Sequence, residues 1–264
     1  MLVEHTLFGI RDKVQIAIDR IRQFEPLEGY YVAFSGGKDS CVILDLVKRA
    51  GVKYDAHYNL TTVDPPELVQ FIKKYHSDVQ WNRPKETMWK LIARKGMFPL
   101  RQARWCCAEL KEGGGKGRVV VTGVRWQESV RRSKRRMVET CITDNSKRFL
   151  HPIIDWSEYE IWQYIRQNNI PYCKLYDEGF HRLGCILCPM VKNHQELGKQ
   201  IRKWPKVYEA YKKAAQKGYK KMVEHRLKNG LDPRFLTWQD WFEWWIWERN
   251  NSAKQNPDQT VIFE

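Results

Sequence analysis

The sequence predicts an α/β protein with an open, twisted, mostly parallel sheet that carries helices on both faces, followed by a helical C-terminal subdomain. One observation is that strand-like runs alternate with helical patterns from residue 30 to residue 169, as in chains that form parallel sheets. The other is that the pattern beyond Pro189 is helical and basic. Ligands of such sheets bind outside the carboxyl ends of the strands, so a site is expected there.

The spacing of apolar residues predicts the elements in order. Ile10, Val14, Ala17 and Ile21 recur at helical intervals, which predicts an amphipathic helix over residues 5–24. The predicted strands are Tyr30–Phe34, Val52–Tyr58, Val79–Trp81 and Val119–Val124. The predicted helices are Cys41–Ala50, Pro66–Tyr75, Lys85–Lys95 and Asp155–Asn169.

Local signals refine the second half of the chain. Ser157 and Glu160 have the spacing of a capping box, which marks the start of the helix at 155–169. Residues 190–250 are predicted to be helical, and the tryptophans of WQDWFEWWIWER are predicted to pack in a core rather than to stack on bases. The final stretch, residues 251–264, is predicted to be a loose tail.

A polar loop, SGGKDS, separates the strand at 30–34 from the helix that follows it. Two glycines remove the Cβ atoms that would keep a ligand away, and they let backbone N–H groups point toward one spot. That spot lies at a helix N-terminus, where the partial positive charge favours an anion. The loop is therefore predicted to bind phosphate or sulfate, and Asp39 either to bind Mg²⁺ or to hold the loop in shape. Its residues are Ser35, Gly36, Gly37, Lys38, Asp39 and Ser40.

More candidates for anion binding follow the strand at 119–124. Gly123 permits close approach at the strand end, and the planar guanidinium of Arg125 can bind a phosphate or sulfate. Arg131 and Arg132 offer the same group, and Arg125 is preferred among the three. Arg132 is also predicted to contact the bound anion. The candidate catalytic residues are Lys38, Asp39 and Arg125.

The quoted loop resembles the PP-loop of the adenine nucleotide alpha-hydrolase superfamily. VTGVRWQESVRRS at residues 121–133 and the segment at 151–189 resemble the phosphoadenosine phosphosulfate (PAPS) reductase family, and the likeness covers roughly residues 28–190. It implies the alpha-hydrolase-like fold and a bound adenine nucleotide, which is ATP or, as substrate, PAPS or its unphosphorylated analogue APS.

The resemblance also implies nucleotide contacts at Thr61 and Asp64. TTVDPPEL at residues 61–68 stands where the family has Asp-Thr-Gly-x-x-x-Pro-Glu, and it departs from that pattern. The chain is accordingly predicted to have three consecutive parts. These are an N-terminal helix packed on the core at 1–27, a PP-loop nucleotide-binding domain with a cysteine site at 28–189, and a basic, Trp-rich helical subdomain with a tail at 190–264.

Four of the seven cysteines have the spacing of ligands for a metal or a cluster: Cys106, Cys107, Cys185 and Cys188. A C-x-x-C turn places two thiolates on one centre, and a remote pair completes four sulfur ligands. Adjacent cysteines diverge, which suits the separate corners of a cube better than one tetrahedral ion. Zinc and unligated thiols remain as alternatives. The other three cysteines, Cys41, Cys141 and Cys173, are predicted to be packing residues.

The pattern CC…CxxC is similar to the [4Fe-4S] site of the iron–sulfur branch of the sulfonucleotide reductases, which implies such a cluster here. A variant in which Cys185, Cys188 and one of the adjacent pair bind iron would leave one corner open for sulfide.

Charge and composition limit the classes of partner that the chain is expected to bind. The formal net charge is +15, and residues 90–148 hold sixteen Lys or Arg against five Asp or Glu, which favours a phosphate-rich partner over a merely solvated basic face. An apolar fraction of 42% without a signal peptide or a long uncharged apolar stretch predicts a folded cytoplasmic protein that does not enter a membrane. The oligomeric state is open.

Three functions are compatible with these features. The preferred one is ATP-dependent transfer of sulfur onto a nucleic acid, tRNA or DNA, with release of pyrophosphate and with sulfur from a donor protein. The second is reduction of PAPS or APS to sulfite with a thiol reductant protein. Similar reductases use a cysteine on a C-terminal segment, and no cysteine follows Cys188 here. The third is a non-catalytic redox-sensing or nucleic-acid-binding module.

Overall fold

The computed structural model describes residues 2–7, 9–142, 144–191 and 193–248. Its strands are β1 Val3–Thr6, β2 Gly9–Asp12, β3 Tyr30–Phe34, β4 Tyr54–Asn59, β5 Gln80–Asn82, β6 Val119–Val121, β7 Val138–Thr140 and β8 Arg148–Leu150. Its α-helices are α1 Lys13–Gln23, α2 Lys38–Ala50, α3 Pro66–Tyr75, α4 Met88–Lys95, α5 Trp105–Leu110, α6 Val130–Ser133, α7 Glu158–Gln167, α8 His194–Lys203, α9 Pro205–Lys228 and α10 Trp238–Glu243.

The chain forms two compact units, and each is assembled from segments that are separate in sequence. The first unit comprises Met1–Asn59, Pro66–Asn82 and Gly113–Leu183. The second comprises Leu60–Pro65, Arg83–Glu112 and Gly184–Glu264. The division at residues 27 and 189 stays a prediction, and the predicted tail at 251–264 lies outside the described residues.

A six-stranded sheet forms the centre of the first unit. Its order is β5-β4-β3-β6-β8-β7, and every neighbouring pair is parallel except β7 and β8. Helix α2 packs on β3, and α1 and α7 pack on α2. The predicted α/β class with a mostly parallel sheet is confirmed. The apolar runs of β3 and β6 are buried almost throughout, as is usual for the central strands of such sheets.

The N-terminal prediction was wrong over residues 5–12. Val3–Thr6 pairs with Gly9–Asp12 in an antiparallel hairpin of β1 and β2, and the helix begins only at Lys13. Asp12 sets this boundary because its carboxylate accepts hydrogen bonds from the backbone N–H groups of Val14 and Gln15. Ile10, expected on the buried face of a helix, is 69% exposed in the hairpin. From Ala17 to Ile21 the predicted apolar face is buried as expected.

Caps decide where two other helices begin. The predicted helix at 85–95 starts at Met88 because the Thr87 hydroxyl accepts the Lys90 N–H. The predicted capping box of Ser157 and Glu160 is confirmed at the start of α7.

Helices dominate the second unit, as predicted for residues 190–250. Helices α4 and α9 pack closely where Gly218 lies on the backbone of Ile92, and an added Cβ there would meet the Ile92 carbonyl at 3.1 Å. The tryptophan-rich segment supplies core residues: Trp245 is fully buried, stacks on Phe98 at 4.3 Å and donates its Nε1–H to the Pro99 carbonyl. The predicted core role of these tryptophans is confirmed for Trp241 and Trp245. Within the described residues, no helix combines the length and the apolar character that crossing a bilayer requires.

Candidate active site

The predicted loop lies at the carboxyl end of β3 and leads into α2, so it stands at the edge of the sheet where ligands bind. Gly36 has a φ of +72°, and an added Cβ would come within 2.7 Å of the Leu68 side chain. A side chain is therefore excluded there for two independent reasons. Gly37 is the N-cap residue of α2 and has no side chain to occupy the helix end. The N-cap residue itself therefore supplies no side chain to cap the helix N-terminus.

A cavity of about 450 Å³ opens in front of this loop, entirely within the first unit. Three segments line it: the loop with the first turn of α2, residues 122–132 after β6, and residues 158–183. Of the predicted residues, this cavity brings together Ser35, Gly37, Lys38, Asp39, Ser40, Gly123, Arg125 and Arg132. A glycine loop, a helix N-terminus and several cations thus converge on this cavity, and these are the features that an anionic ligand requires.

The loop hydroxyls bond within the loop. The Ser40 hydroxyl donates to the Gly37 carbonyl at 2.8 Å and accepts from the Ser35 N–H at 3.2 Å. The Ser35 hydroxyl in turn donates to Ser40 and accepts the Gly37 N–H at 3.4 Å. These contacts fix the curvature of the loop.

Lys38 is 5% exposed, and its partners lie in α7 and in the segment that follows it. Its ammonium donates to the His181 carbonyl at 3.1 Å and pairs with Glu158 at 3.2 Å. It lies 5.2 Å from the centre of the Tyr176 ring, and its backbone N–H donates to the Tyr176 hydroxyl at 2.9 Å. Burial raises the pKa of Tyr176, so this hydroxyl stays protonated. An incoming anion would exchange with these partners.

Asp39 accepts a hydrogen bond from Nε of Arg125 at 2.5 Å. Arg125 is 3% exposed, and its Nη1 donates to the Trp156 carbonyl at 3.4 Å. The close approach of the two segments depends on Gly123, since an added Cβ would lie 3.0 Å from the Asp39 backbone. Gly123 thus admits the chain's own helix, whereas the sequence suggested approach by a ligand.

Arg132 lines the cavity and is paired with Glu128, which also accepts the Arg125 backbone N–H. Four further lining residues were not singled out from the sequence: Glu158, Tyr176, His181 and Arg182. The signal for three of them was the segment LYDEGFHR, which ends at Arg182, three positions before the C-x-x-C motif. For Glu158, the sequence contains no feature that indicates a site residue apart from its position in the first turn of a helix.

Thr61 and Asp64 are not among the residues that line this cavity; they lie in the second unit. The Asp64 carboxylate accepts the Thr61 N–H at 2.7 Å. The Thr61 hydroxyl accepts a hydrogen bond from the Cys185 thiol at 3.5 Å. The structure therefore joins Thr61 to the cysteine site.

All four predicted ligand cysteines lie in the second unit. Cys106 and Cys107 occupy the start of the short helix α5, where the Arg104 guanidinium donates to the Cys107 sulfur at 3.3 Å. Cys185 and Cys188 form a tight turn, since the Cys188 N–H donates to the Cys185 carbonyl. None of the chain's seven cysteines forms a disulfide.

The C-x-x-C turn is held in an uncommon conformation. Leu187 has a φ of +56°, which is costly for a residue with a Cβ. Its N–H donates to the buried Gln200 side chain at 2.8 Å, and the Ile186 N–H donates to the Val63 carbonyl at 2.8 Å. The Tyr211 hydroxyl donates to the Ile186 carbonyl at 3.3 Å. Contacts from three directions thus fix the positions of both thiols.

The four thiols influence one another electrostatically. A hydrogen bond with Cys107 raises the pKa of Cys106, and burial together with Cys185 and Cys188 acts in the same direction. The same bond lowers the pKa of Cys107, with help from Arg104. Burial raises the pKa of Cys185, against the effect of Lys111. Over the described ranges, no group of three or more His, Cys, Asp or Glu is placed to hold a metal ion.

Comparisons with known proteins identify the family. Residues 29–191 match the phosphoadenosine phosphosulfate reductase domain. The adenosine 5'-phosphosulfate reductase of Oceanobacillus iheyensis is 30% identical over 175 residues, which cover 59% of this chain and 69% of that protein. The crystal structure of phosphoadenylyl-sulfate (PAPS) reductase from Candida auris, a phosphate complex, shares the fold with a TM-score of 0.51 at 18% identity, covering 64% of this chain and 87% of that one.

Two longer proteins are also similar. An uncharacterized protein of Methanocaldococcus jannaschii is 29% identical over 215 residues, which cover 76% of this chain and 44% of that protein. A second one is 30% identical over 175 residues, with coverage of 62% and 42%. The chain therefore spans less than half the length of these two relatives. On the domain match and the reductase relatives, the chain belongs to the phosphoadenosine phosphosulfate reductase family.

Proposed function

We propose that this protein is an enzyme that binds ATP in the cavity of the first unit and transfers sulfur onto a nucleic acid. An oxygen of the nucleic acid attacks the α-phosphorus of ATP, and pyrophosphate leaves. Sulfur at the sulfide level, from a donor protein, then displaces AMP, so oxygen is exchanged for sulfur without net redox change. The single observation that carries the nucleotide part is the anion cradle at residues 35–40.

The cradle suits a departing pyrophosphate. It combines the N-terminus of α2, where Gly37 supplies no capping side chain, with the Lys38 ammonium, and both would stabilise charge that develops on a leaving group. Asp39 uses Oδ1 for Arg125, while its Oδ2 forms no hydrogen bond to the described part of the chain. Mg²⁺ is commonly bound by one carboxylate together with substrate phosphates and water, and Asp39 can supply that carboxylate.

The four thiols of the second unit fit an iron–sulfur cluster in kind and number. Cys106, Cys107, Cys185 and Cys188 supply four soft donors, and Arg104 offsets thiolate charge at Cys107. One tetrahedral ion would need all four sulfurs about 2.3 Å from one point, whereas a cube has a separate corner for each. We therefore assign a [4Fe-4S] cluster to Cys106, Cys107, Cys185 and Cys188. When bound, it would hold or relay sulfur.

Cations beside the cavity favour a polyanionic second substrate. Arg131 lies within the lining segment, Lys134 and Arg136 lie just beyond its end, and all three are exposed. Arg132 and Arg135 nearby are paired with carboxylates. By contrast, Arg131, Lys134 and Arg136 form no ion pair in the described portion of the first unit. Trp126, 42% exposed, lies on the same segment. Exposed cations next to an aromatic ring are typical of nucleic-acid surfaces.

Sulfonucleotide reduction is the second candidate. It is favoured by the likeness to proteins named adenosine 5'-phosphosulfate reductase. The cradle would then bind sulfate or phosphate of APS or PAPS, and a thiol reductant protein would supply electrons.

Paired assays on anaerobically purified protein separate the candidates. With ATP, Mg²⁺ and total DNA or RNA, the proposal expects pyrophosphate release that requires Lys38. With APS or PAPS and a thiol donor, it expects no sulfite. Sulfite without pyrophosphate would establish the reductase instead, and absence of both products would leave a non-catalytic module.

A further inference from the structure

Helix α9 of the second unit carries lysines along its exposed face. The helix is 24 residues long and has eight Lys or Arg against two Glu. Its buried side is formed by small and apolar residues: Tyr211, Ala214, Ala215, Gly218 and Met222. The opposite side presents six exposed lysines, which we call the lysine stripe: Lys206, Lys213, Lys217, Lys220, Lys221 and Lys228.

Carboxylates do not neutralise this stripe. The two acidic residues of the helix pair with Lys212 at 3.0 Å and with Lys220 at 4.0 Å. The other five lysines of the stripe form no ion pair with any described residue. A solvated helix face usually alternates charges at a spacing of four, which adds stability.

Here the spacing of four brings like charges together. Lys213 and Lys217 are four apart, as are Lys217 and Lys221. Like-charge pairs at this spacing destabilise an isolated helix. The like charges on this face therefore destabilise the helix, and an anionic partner would reduce their repulsion.

The length and composition of the stripe indicate the partner. From Lys206 to Lys228 the helix rises about 33 Å at 1.5 Å per residue, which is close to the roughly 34 Å of one turn of duplex DNA. An α-helix enters the major groove of B-DNA, whereas the A-form groove of duplex RNA is too narrow. No aromatic side chain lies within the stripe, so stacking on a single strand is not provided for.

We propose that the lysine stripe of α9 docks duplex DNA through its phosphates. The inference rests on the proposed function, since it names the nucleic acid on which that site would act, but binding can be measured without ATP or turnover.

The test is fluorescence anisotropy of the full-length, anaerobically purified chain with a labelled 20-bp DNA duplex across a range of salt concentrations. Each phosphate contact contributes about 0.9 to the slope of log K against log salt. The triple variant K213Q/K217Q/K221Q should therefore reduce the slope by about 2.7. The matched control, K53Q/K73Q/K74Q, removes the same charge from exposed positions of the first unit and should leave the slope within about 0.5 of the wild type.

A structural role for the stripe would give a different result. Gln has nearly the helix propensity of Lys, and the triple variant removes like-charge pairs, so its midpoint in urea should stay or rise. Equal slopes for the triple variant and the control would overturn the proposal. Tighter binding of duplex RNA or of a single strand than of duplex DNA would overturn the choice of partner.

The outcome is separable from that of the proposed function. If the triple variant has a smaller slope of log K against log salt but the wild type never releases pyrophosphate, the lysine stripe binds DNA and the sulfur-transfer proposal is wrong. If DNA stimulates pyrophosphate release equally in the triple variant and the wild type, the DNA-docking proposal is wrong and the proposed reaction is supported.

Discussion

The carboxylate of Asp39 and the guanidinium of Arg125 are joined by a 2.5 Å hydrogen bond. The bond connects the first turn of α2 with the segment after β6, so it holds two walls of the cavity together. The arginine side chain is 4% exposed and the aspartate side chain 22%. Neither charge is easily released to solvent, because its partner would then be left unpaired.

A double-mutant cycle tests whether this pair holds the site in shape. Asp39→Asn and Arg125→Gln should each lower the free energy of unfolding by about 1 to 3 kcal/mol, and the double variant should lose clearly less than the sum. Urea unfolding measures all four proteins. Additivity within about 0.5 kcal/mol would mean that the two side chains do not support each other.

Lys38→Ala and Asp39→Ala should both abolish turnover.

Glu158 competes with the ligand for Lys38. Its carboxylate pairs with the ammonium at 3.2 Å and is half exposed, so Glu158→Gln should free the lysine for an anion. We expect pyrophosphate to bind about five times more tightly in calorimetry, equivalent to about 1 kcal/mol. The control Glu28→Gln makes the same charge change at an exposed position outside the cavity lining. Unchanged or weaker binding by the Glu158 variant would contradict the competition.

Gly123 and Gly113 form a matched pair for a steric test. A Cβ at Gly123 would meet Asp39 at 3.0 Å, while one at Gly113 would meet nothing within 4 Å. Gly123→Ala should therefore displace the start of α2 by a few tenths of an ångström and weaken nucleotide binding. Gly113→Ala should leave it unchanged. Equal affinities for the two variants would show that close packing at Gly123 is not needed.

His76 makes stability depend on pH. Burial lowers its pKa from 6.5 to about 4, with Lys48 acting in the same direction and Asp78 against it. Between those two pH values the unfolded chain binds a proton that the folded chain does not, so stability falls as pH decreases from 6.5 toward 4. The loss is at most about 3 kcal/mol for this group.

His76→Phe should remove that part of the pH dependence. The ring lies against Phe34 and Phe71, so an apolar ring is compatible with its surroundings. Urea unfolding at pH 7 and pH 5 should show a smaller difference for the variant than for the wild type. Identical differences would show that His76 is protonated in the folded state.

The sequence predicted the sheet and the anion loop because both depend on local patterns. The apolar runs predicted β3 and β6, and the glycine pair predicted a helix N-terminus whose N-cap residue has no side chain. The N-terminal hairpin was missed because Ile10, Val14 and Ala17 fit a helical spacing although Asp12 caps the helix between them. The assignment of Thr61 and Asp64 to the nucleotide, which followed a family motif from which the chain departs, stays a prediction.

Long-range partners had no sequence signal. Glu158 meets Lys38 across 120 positions of the chain, and Arg125 meets Asp39 across 86. Such contacts depend on tertiary packing. Gly123 was predicted to allow close approach, but only the structure shows that the approaching group is the backbone of α2.

Single cysteine substitutions test the cluster assignment. Serine at Cys106, Cys107, Cys185 or Cys188 should lower both iron and acid-labile sulfide in anaerobically purified protein. Cys141→Ser, at a partly exposed cysteine that is not one of the four, is the control and should keep both. Full retention of iron after replacement of Cys106 or Cys107 would favour three protein ligands. Zinc in place of iron would exclude the cluster.

The anion cradle is tested most directly by a crystal structure of the chain, grown without oxygen, with a non-hydrolysable ATP analogue and Mg²⁺. The account predicts phosphate density against the backbone amides of Gly37 and Lys38, with the Lys38 ammonium turned from Glu158 toward it. An empty cradle at saturating analogue, or phosphate density elsewhere on the chain, would contradict it.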